Sequence, residues 1–298
     1  MKKLVTMLLA LVMVLSLAAC GGSGNDASSS SGGEDAGNTS DTSTPNDTTS
    51  DTTAPDTTAP DTDTPSFTTV EAGKLHMSTN AAFPPYEMTT DNGGFEGIDV
   101  EVADAIAKKL GLELVVDDMG FDAALTAVQT GQTDIAMAGI TVTDERLAIM
   151  DFSDSYATGI QVIIVPEGSD IQTVDDLENA AMIGCQKATT GYIYCSDTPE
   201  NGGYGEDHVT AYDTGALAVM ALVNGQVDAV VIDNEPAKAF VAANEGLVIL
   251  DTEFAVEDYA IGFAKGNDAL KDAVNSAMAE LKADGTFQTI VDKYITAE

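Results

Sequence analysis

A twelve-residue pattern that occurs twice is the feature of this sequence that most constrains its fold. Residues 127–138 read AVQTGQTDIAMA, and residues 221–232, which lie 94 positions later, read ALVNGQVDAVVI. Each copy combines the end of a helical segment, a glycine that stops it, an aspartate and a short apolar run typical of a buried strand. A unit of helix, turn and strand that recurs in one chain predicts two similar α/β lobes.

The rest of residues 67–298 supports the α/β class, because short apolar runs alternate with amphipathic segments throughout. A helix is predicted at 99–110, with Asp99 as a candidate N-cap and Gly111 as its stop. Ligands of open α/β sheets bind at the carboxyl ends of the strands, so the turns after both repeat copies should face a crevice. The predicted strands are 75–79, 112–116, 135–137, 160–165, 181–185, 209–212, 228–232, 247–250 and 259–264.

Arg146, the only arginine of the chain, follows the first repeat copy. Between them, Ala138 and Gly139 allow a close backbone approach, and Thr141 offers a hydroxyl. A guanidinium is a planar fork that can bind a carboxylate through two parallel hydrogen bonds. Residues 143–145 predict a helix start, which places Arg146 in a first turn beside free backbone N–H groups. These residues predict a pocket for a small carboxylate; the alternative is a surface arginine paired with a neighbouring acid.

An acidic residue, Asp233, follows the second repeat copy. An α-amino acid carries a carboxylate, which suits Arg146 and Thr141, and an ammonium, which suits Asp233. Because these residues follow different copies, a single ligand would bridge both lobes and favour a closed form. The alternative is that Asp233 only caps the helix before Pro236.

The sequence AGITVTDER, followed by DFSDSY, resembles the amino-acid-binding members of the bacterial extracellular solute-binding proteins, family 3, which feed ABC importers. The resemblance runs from AAFPPYE to LKADGTFQTIVDKYI, nearly all of residues 67–298. It implies a two-lobe, type II periplasmic-binding-protein-like fold. Lobe one would be 67–159 with 258–298, lobe two 160–257, and the hinge would lie where the chain crosses, near 159–164 and 257–260.

The resemblance also implies a function. A free amino acid would be captured between the closing lobes and delivered to an ABC permease by a monomer that is not an enzyme and needs no cofactor or metal. The residues leave two alternatives. One is an amino-acid sensor on the same fold; the other is a small-acid dehydratase, although His76 and His208 have no obvious catalytic partner.

Further site residues come from the resemblance. It places Phe83 and Phe121 against the ligand side chain and the Gly139 carbonyl beside Asp233 on the ammonium. The alternative for Phe83 is a core position. The family motif QxGTTG is matched by QKATTG, with Ala188 in the place of a glycine. The predicted ligand-binding residues are Asn80, Phe83, Phe121, Ala138, Gly139, Thr141, Arg146, Gln186, Thr189, Thr190 and Asp233.

Within the motif, the N–H groups of Thr189 and Thr190 would point to the ligand carboxylate. The amides of Asn80 and Gln186 would reach its side chain, which favours a polar neutral amino acid. Asp99, near the cleft, would suit a cationic one instead.

The first 66 residues predict export and a lipid anchor. Lys2 and Lys3 precede an apolar run typical of a secretory signal, over residues 1–20. The sequence LAAC resembles the lipobox of bacterial lipoproteins, in which Cys20 would carry the lipid, including palmitate. The alternative is an ordinary secretory signal peptide that is cleaved near Ala19, with Cys20 incidental. Residues 21–66 are predicted to be a disordered tether rich in Ser, Thr, Asp and Pro. The protein should therefore lie on the outer face of a Gram-positive-like cell membrane.

Charge and cysteine content limit the partners. Residues 67–298 carry 40 acidic and 10 basic residues, which excludes nucleic acid as a partner.

With Cys20 lipidated, Cys185 and Cys195 remain, and two cysteines in an exported protein predict a disulfide. The alternative is two separate thiols.

Overall fold

The computed structural model describes residues 67–295, which belong to one compact unit. The predicted signal peptide, Cys20 and the tether lie outside the described residues. No helix of the described range is long and apolar enough to cross a membrane.

The described elements are fourteen strands and eight α-helices, with three short 3-10 helices at Val174–Asn179, Pro199–Asn201 and Glu206–His208. The strands are β1 (Lys74–Thr79), β2 (Ala82–Phe83), β3 (Glu87–Thr89), β4 (Phe95–Glu96), β5 (Glu113–Asp118), β6 (Ile135–Ala136), β7 (Met150–Phe152), β8 (Ala157–Pro166), β9 (Ile183–Gln186), β10 (Val209–Tyr212), β11 (Ala229–Asp233), β12 (Leu247–Ile249), β13 (Ala255–Tyr259) and β14 (Gly262–Ala264). The helices are α1 (Ile98–Lys109), α2 (Phe121–Gln129), α3 (Asp144–Ile149), α4 (Thr190–Ser196), α5 (Gly215–Val223), α6 (Asn234–Ala243), α7 (Asp268–Ala283) and α8 (Thr286–Tyr294).

Two mixed sheets organise these elements. The first has the strand order β5-β1-β6-β14-β7, and the second has β10-β9-β11-β8-β12 with β13 also paired to β8. A small third sheet, β2-β3-β4, lies in the chain between β1 and α1. The C-terminal part returns to the first sheet through β14, and α7 and α8 pack against α1. The predicted α/β class is confirmed.

The chain passes between the two sheets through β8 and β13, which pair with each other in antiparallel register. Gly159 and Glu257, where lobe one and lobe two were predicted to exchange, are direct partners in this register. The strand predicted at 259–264 is interrupted at Ala260 and Ile261, so β13 and β14 pair with different sheets. The two crossings are therefore one two-stranded ribbon.

Three sequence predictions about local structure need correction. Strands β2, β3, β4 and β7 were missed, because runs of two or three residues are too short for an alternating pattern, and only the last residue of β13 was predicted. Asp99 is not the N-cap of α1: Gly97 holds that position and Asp99 lies buried in the first turn. Cys185 and Cys195 are buried free thiols rather than the predicted disulfide. The two thiols are neighbours: a hydrogen bond with Cys195, together with burial, raises the pKa of Cys185.

Candidate ligand-binding site

One cavity is lined by residues that belong to, or directly follow, strands of both sheets. All eleven residues predicted to bind ligand line it, together with Glu87, which was not predicted. The lining residues are Asn80, Phe83, Glu87, Phe121, Ala138, Gly139, Thr141, Arg146, Gln186, Thr189, Thr190 and Asp233.

Arg146 enters the cavity from the first turn of α3. Thr143 caps this helix, with its Oγ1 accepting a hydrogen bond from Arg146 N at 3.2 Å. The side chain turns inward and is buried, and the Arg146 Cζ lies 5.6 Å from the centroid of the Phe121 ring. Nη1 donates to the Thr141 carbonyl at 2.8 Å and Nη2 donates to the Ala188 carbonyl at 3.0 Å. The alternative of a surface arginine is therefore wrong.

Glu257, on β13, is a buried acid that sequence reasoning missed. Its Oε2 accepts hydrogen bonds from Thr141 Oγ1 at 3.1 Å, Gln161 Nε2 at 3.1 Å and Thr190 Oγ1 at 2.9 Å. Burial lowers the pKa of Arg146, and the negative charge of Glu257 is the strongest effect opposing that shift. The hydroxyl of Thr141, predicted to face a ligand carboxylate, is thus directed at a carboxylate of the protein itself.

Asp233 is the last residue of β11 and precedes α6. It holds the N-cap position, yet its side chain makes no capping hydrogen bond. Instead, Oδ1 accepts a hydrogen bond from the Tyr259 hydroxyl. Burial raises the pKa of Asp233 to about 7, although the bond from Tyr259 works in the opposite direction. Asp233 is therefore more than a helix cap: its carboxylate is buried at the cavity.

The QKATTG segment forms the turn between β9 and α4. Thr189 caps α4, since its Oγ1 accepts from Tyr192 N at 3.3 Å and donates to the Gln186 carbonyl at 2.7 Å. Ala188 has a φ of +61°, a left-handed conformation that a glycine adopts at lower cost. The departure from the family motif thus keeps the turn geometry and adds backbone strain.

The amides of Asn80 and Gln186 bond to each other. Gln186 Nε2 donates to Asn80 Oδ1 at 2.9 Å, and Asn80 Nδ2 donates to the Met119 carbonyl at 2.9 Å. To bind a ligand side chain as predicted, both amides would therefore have to give up hydrogen bonds within the protein.

Gly139 leaves space for the ring of Phe83. Its φ is +55°, and a Cβ there would lie 2.8 Å from Cε1 of Phe83. Phe83 stacks on Tyr86 with ring centroids 5.9 Å apart. The Gly139 N–H donates to Asp99 Oδ2 at 3.1 Å, which ties this turn to α1.

Glu87 completes the cavity lining and is fully buried at the start of β3. Burial and the neighbouring charge of Asp99 raise its pKa well above the usual value. The only available signal was its place in AAFPPYE. Because β3 was not predicted, nothing indicated that the Glu87 side chain points inward.

Comparison with known proteins identifies the family. Residues 75–297 match the model of the bacterial extracellular solute-binding proteins, family 3. The chain belongs to this family. The solute-binding protein is 30% identical over 230 residues to the probable histidine-binding protein of Neisseria gonorrhoeae, covering 76% of this chain and 85% of the relative. It is 32% identical over 229 residues to the arginine-binding extracellular protein ArtP of Bacillus subtilis, with coverages of 76% and 87%.

A solved structure confirms the predicted type II fold of this solute-binding protein. The arginine-, lysine-, histidine-binding protein ArtJ from Geobacillus stearothermophilus superposes with a TM-score of 0.70 at 34% identity, over 76% of this chain and 96% of that one. These relatives are binding proteins, which confirms the expectation of an amino-acid-binding component of an ABC transporter rather than an enzyme.

Proposed function

We propose that this protein captures a free α-amino acid between its two lobes and delivers it to the permease of an ABC importer. The observation that carries the proposal is that Arg146 and Asp233, of opposite charge, are both buried on the same cavity. They reach it from different sheets, each after one copy of the repeat. The carboxylate and ammonium of one zwitterion match this pair.

In the proposed complex, Arg146 exchanges its carbonyl partners for the ligand carboxylate, aided by N–H groups in the first turn of α4. Asp233 and the Gly139 carbonyl receive the ammonium. Hydrogen bonds to charged groups contribute about 1.5–3 kcal/mol each. Phe83 and Phe121 contact the ligand side chain.

Two short contacts already join the lobes, and ligand binding would favour this closed arrangement. Arg146 donates to the Ala188 carbonyl across the cavity at 3.0 Å. At its edge, Lys187 Nζ lies 3.3 Å from Asp122 Oδ1. A zwitterion held from both sides adds charged contacts only in the closed form, so it shifts the population toward that form.

The cellular setting belongs to the same proposal. Cys20 carries the lipid anchor, on the evidence of the lipobox-like LAAC sequence, and holds the protein on the outer face of the cell membrane. The description of the relative ArtP as extracellular supports an extracytoplasmic location. The protein acts as a monomer that docks onto the permease.

The test is a thermal-shift screen of the purified protein against the free amino acids. A ligand that binds only the folded state raises the melting temperature by mass action, by several degrees at about a hundred times its Kd. Isothermal titration then gives the affinity. A melting temperature that stays unchanged with every amino acid contradicts the proposal.

A further inference from the structure

Glu87 is a buried acid on the cavity that the zwitterion does not use. Its side chain is fully buried, and neither carboxyl oxygen has a hydrogen-bond donor among the described residues. Leaving a buried polar group unpaired costs about 1–3 kcal/mol, and more for a charge. Glu87 therefore needs either a proton of its own or a donor from a bound molecule.

Asp99 is the nearest acidic neighbour. Its Oδ2 is satisfied by Gly139 N at 3.1 Å and by the Tyr156 hydroxyl at 2.9 Å, while Oδ1 has no donor. The carboxyls of Glu87 and Asp99 lie within hydrogen-bonding reach of each other. Two adjoining buried carboxyls cannot both ionise at low cost, so they share one proton. The pKa of Asp99 is raised to about 6 by burial, and that of Glu87 is raised further.

The other charges that act on Glu87 are also negative. They belong to Asp233, at the end of β11, and Asp118, at the end of β5. Tyr86 and Tyr156 face the same pair and stay neutral, because burial raises the pKa of both phenols. Within the described residues, the largest charge effects on Glu87 therefore all come from acids.

The uncharged polar side chains at this end of the cavity already have hydrogen-bond partners. The side chains of Asn80 and Gln186 bond to each other at 2.9 Å, and Asn80 also donates to a backbone carbonyl. A ligand with an amide side chain would have to break that bond. A ligand with a cationic side chain would find carboxyl oxygens that have no donor.

We propose that Glu87, supported by Asp99, receives the positively charged end of the ligand side chain, so that the protein prefers a cationic amino acid and releases the shared proton when it binds one. This inference rests on the proposed amino-acid-binding function. The proton passes to the buffer, and the ligand cation replaces it between the carboxyls and the cavity. By linkage, affinity for a cationic ligand rises with pH, by at most about tenfold per pH unit for one proton released.

The test is calorimetric titration of the purified protein at one pH in two buffers with different ionisation enthalpies. The ligands are L-arginine, L-lysine and L-glutamine. Arginine or lysine is expected to bind at least about tenfold more tightly than glutamine, the low end for a charged hydrogen bond. Asp233, whose pKa is about 7, can release a proton when any amino acid brings its ammonium to it. The buffer dependence should therefore give close to one proton more with the cationic ligand than with glutamine.

Glu87→Gln tests the residue itself, since the amide keeps the shape of the protonated acid. It should remove the additional proton release seen with cationic ligands and weaken arginine or lysine binding by about tenfold or more, with little change for glutamine. Glu96→Gln, at an exposed acid on the neighbouring strand β4, makes the same acid-to-amide change and serves as the control.

The inference is overturned if glutamine binds as tightly as the cationic amino acids, if wild-type protein releases no more protons with them than with glutamine, or if Glu87→Gln behaves like Glu96→Gln. The first two results need only the wild-type protein, so they decide the matter even where the variant fails to fold. If no amino acid binds at all, it is the amino-acid-binding proposal that fails.

Discussion

The two copies of the repeat build the same turn, each before a strand of a different sheet. Gly131 and Gly225 have φ values of +69° and +66°. Each N–H donates to the carbonyl three residues earlier, at 3.1 Å and 3.0 Å. Both glycines end a helix in the left-handed conformation that other residues adopt at a cost. This shared turn is local, so it can be read from the sequence.

The aspartate of each copy has the same role. Asp134 accepts hydrogen bonds from Val70 N at 2.7 Å and His76 N at 2.8 Å. Asp228 Oδ2 accepts from two successive N–H groups, those of residues 181 and 182, at 2.7 Å and 3.1 Å. Each carboxylate thus fixes the segment at the start of a neighbouring strand. The copies differ in burial, since Asp134 is buried and Asp228 is exposed.

Beyond the repeated strand, the copies diverge. The first continues through Gly139 to the cationic Arg146, and the second ends directly at the acidic Asp233. The repeat supplies scaffolding, and the residues after it supply opposite charges. Changes inside the repeat should therefore alter stability, and changes beyond it should alter binding.

The largest expected effect is on binding, from Arg146→Met. Losing the charged fork should weaken amino-acid affinity by about 3 kcal/mol or more, over a hundredfold. The free protein should unfold no more easily, because a buried charge is removed. Calorimetry and thermal unfolding measure the two effects, with Lys108→Met, an exposed helix cation, as the control. An unchanged Kd would remove Arg146 from the site.

The second effect concerns the pH dependence of stability at Asp233. Its pKa is about 7 in the folded state, against an ordinary value of 3.8 for an aspartate. A raised pKa contributes stability that is complete below the unfolded pKa and is lost as pH rises through the folded one. The unfolding free energy of the ligand-free protein should therefore fall between pH 5 and 7, by up to about 1.4 kcal/mol per pH unit.

Asp233→Asn, which cannot titrate, should flatten this slope, as followed by denaturant unfolding at each pH. Equal slopes in both proteins would show that Asp233 is ionised throughout.

A third effect compares the two repeat aspartates directly. Asp134→Ala should lower the unfolding free energy by about 2–3 kcal/mol, because two N–H groups lose a buried acceptor. Asp228→Ala should cost about 1 kcal/mol, since water can replace its exposed carboxylate. Urea unfolding measures both. Kd should change less than about twofold in either variant; a large change in affinity would mean that scaffolding and binding are not separable.

The smallest effect is expected from Ala188→Gly, which restores the glycine of the family motif. Relief of the left-handed strain, about 1–2 kcal/mol, is partly offset by the entropy of glycine, about 0.5–1 kcal/mol. The net gain should be below about 1 kcal/mol, a shift of a few degrees at most in the melting temperature. Destabilisation by the same change would show that the Ala188 methyl packs productively.

The sequence was informative where a buried strand is followed by a turn. Arg146 and Asp233 could be predicted on one cavity because the strands before them are apolar and their turns carry charge. Glu87 could not, because β3 is three residues long and gives no alternating pattern. Glu257 was hidden for another reason: in a chain with 49 acidic residues, one more acid has no distinguishing context.

The hydrogen bond from Tyr259 to Asp233 joins the site to the ribbon between the two sheets, since Tyr259 ends β13 and is the partner of Ala157 in β8. A ligand ammonium competing for Asp233 would act on a residue of the joint itself. Ligand binding in the cavity and bending of the ribbon would then both act on the Tyr259 side chain. The protein could respond to its ligand without a relay of intermediate residues.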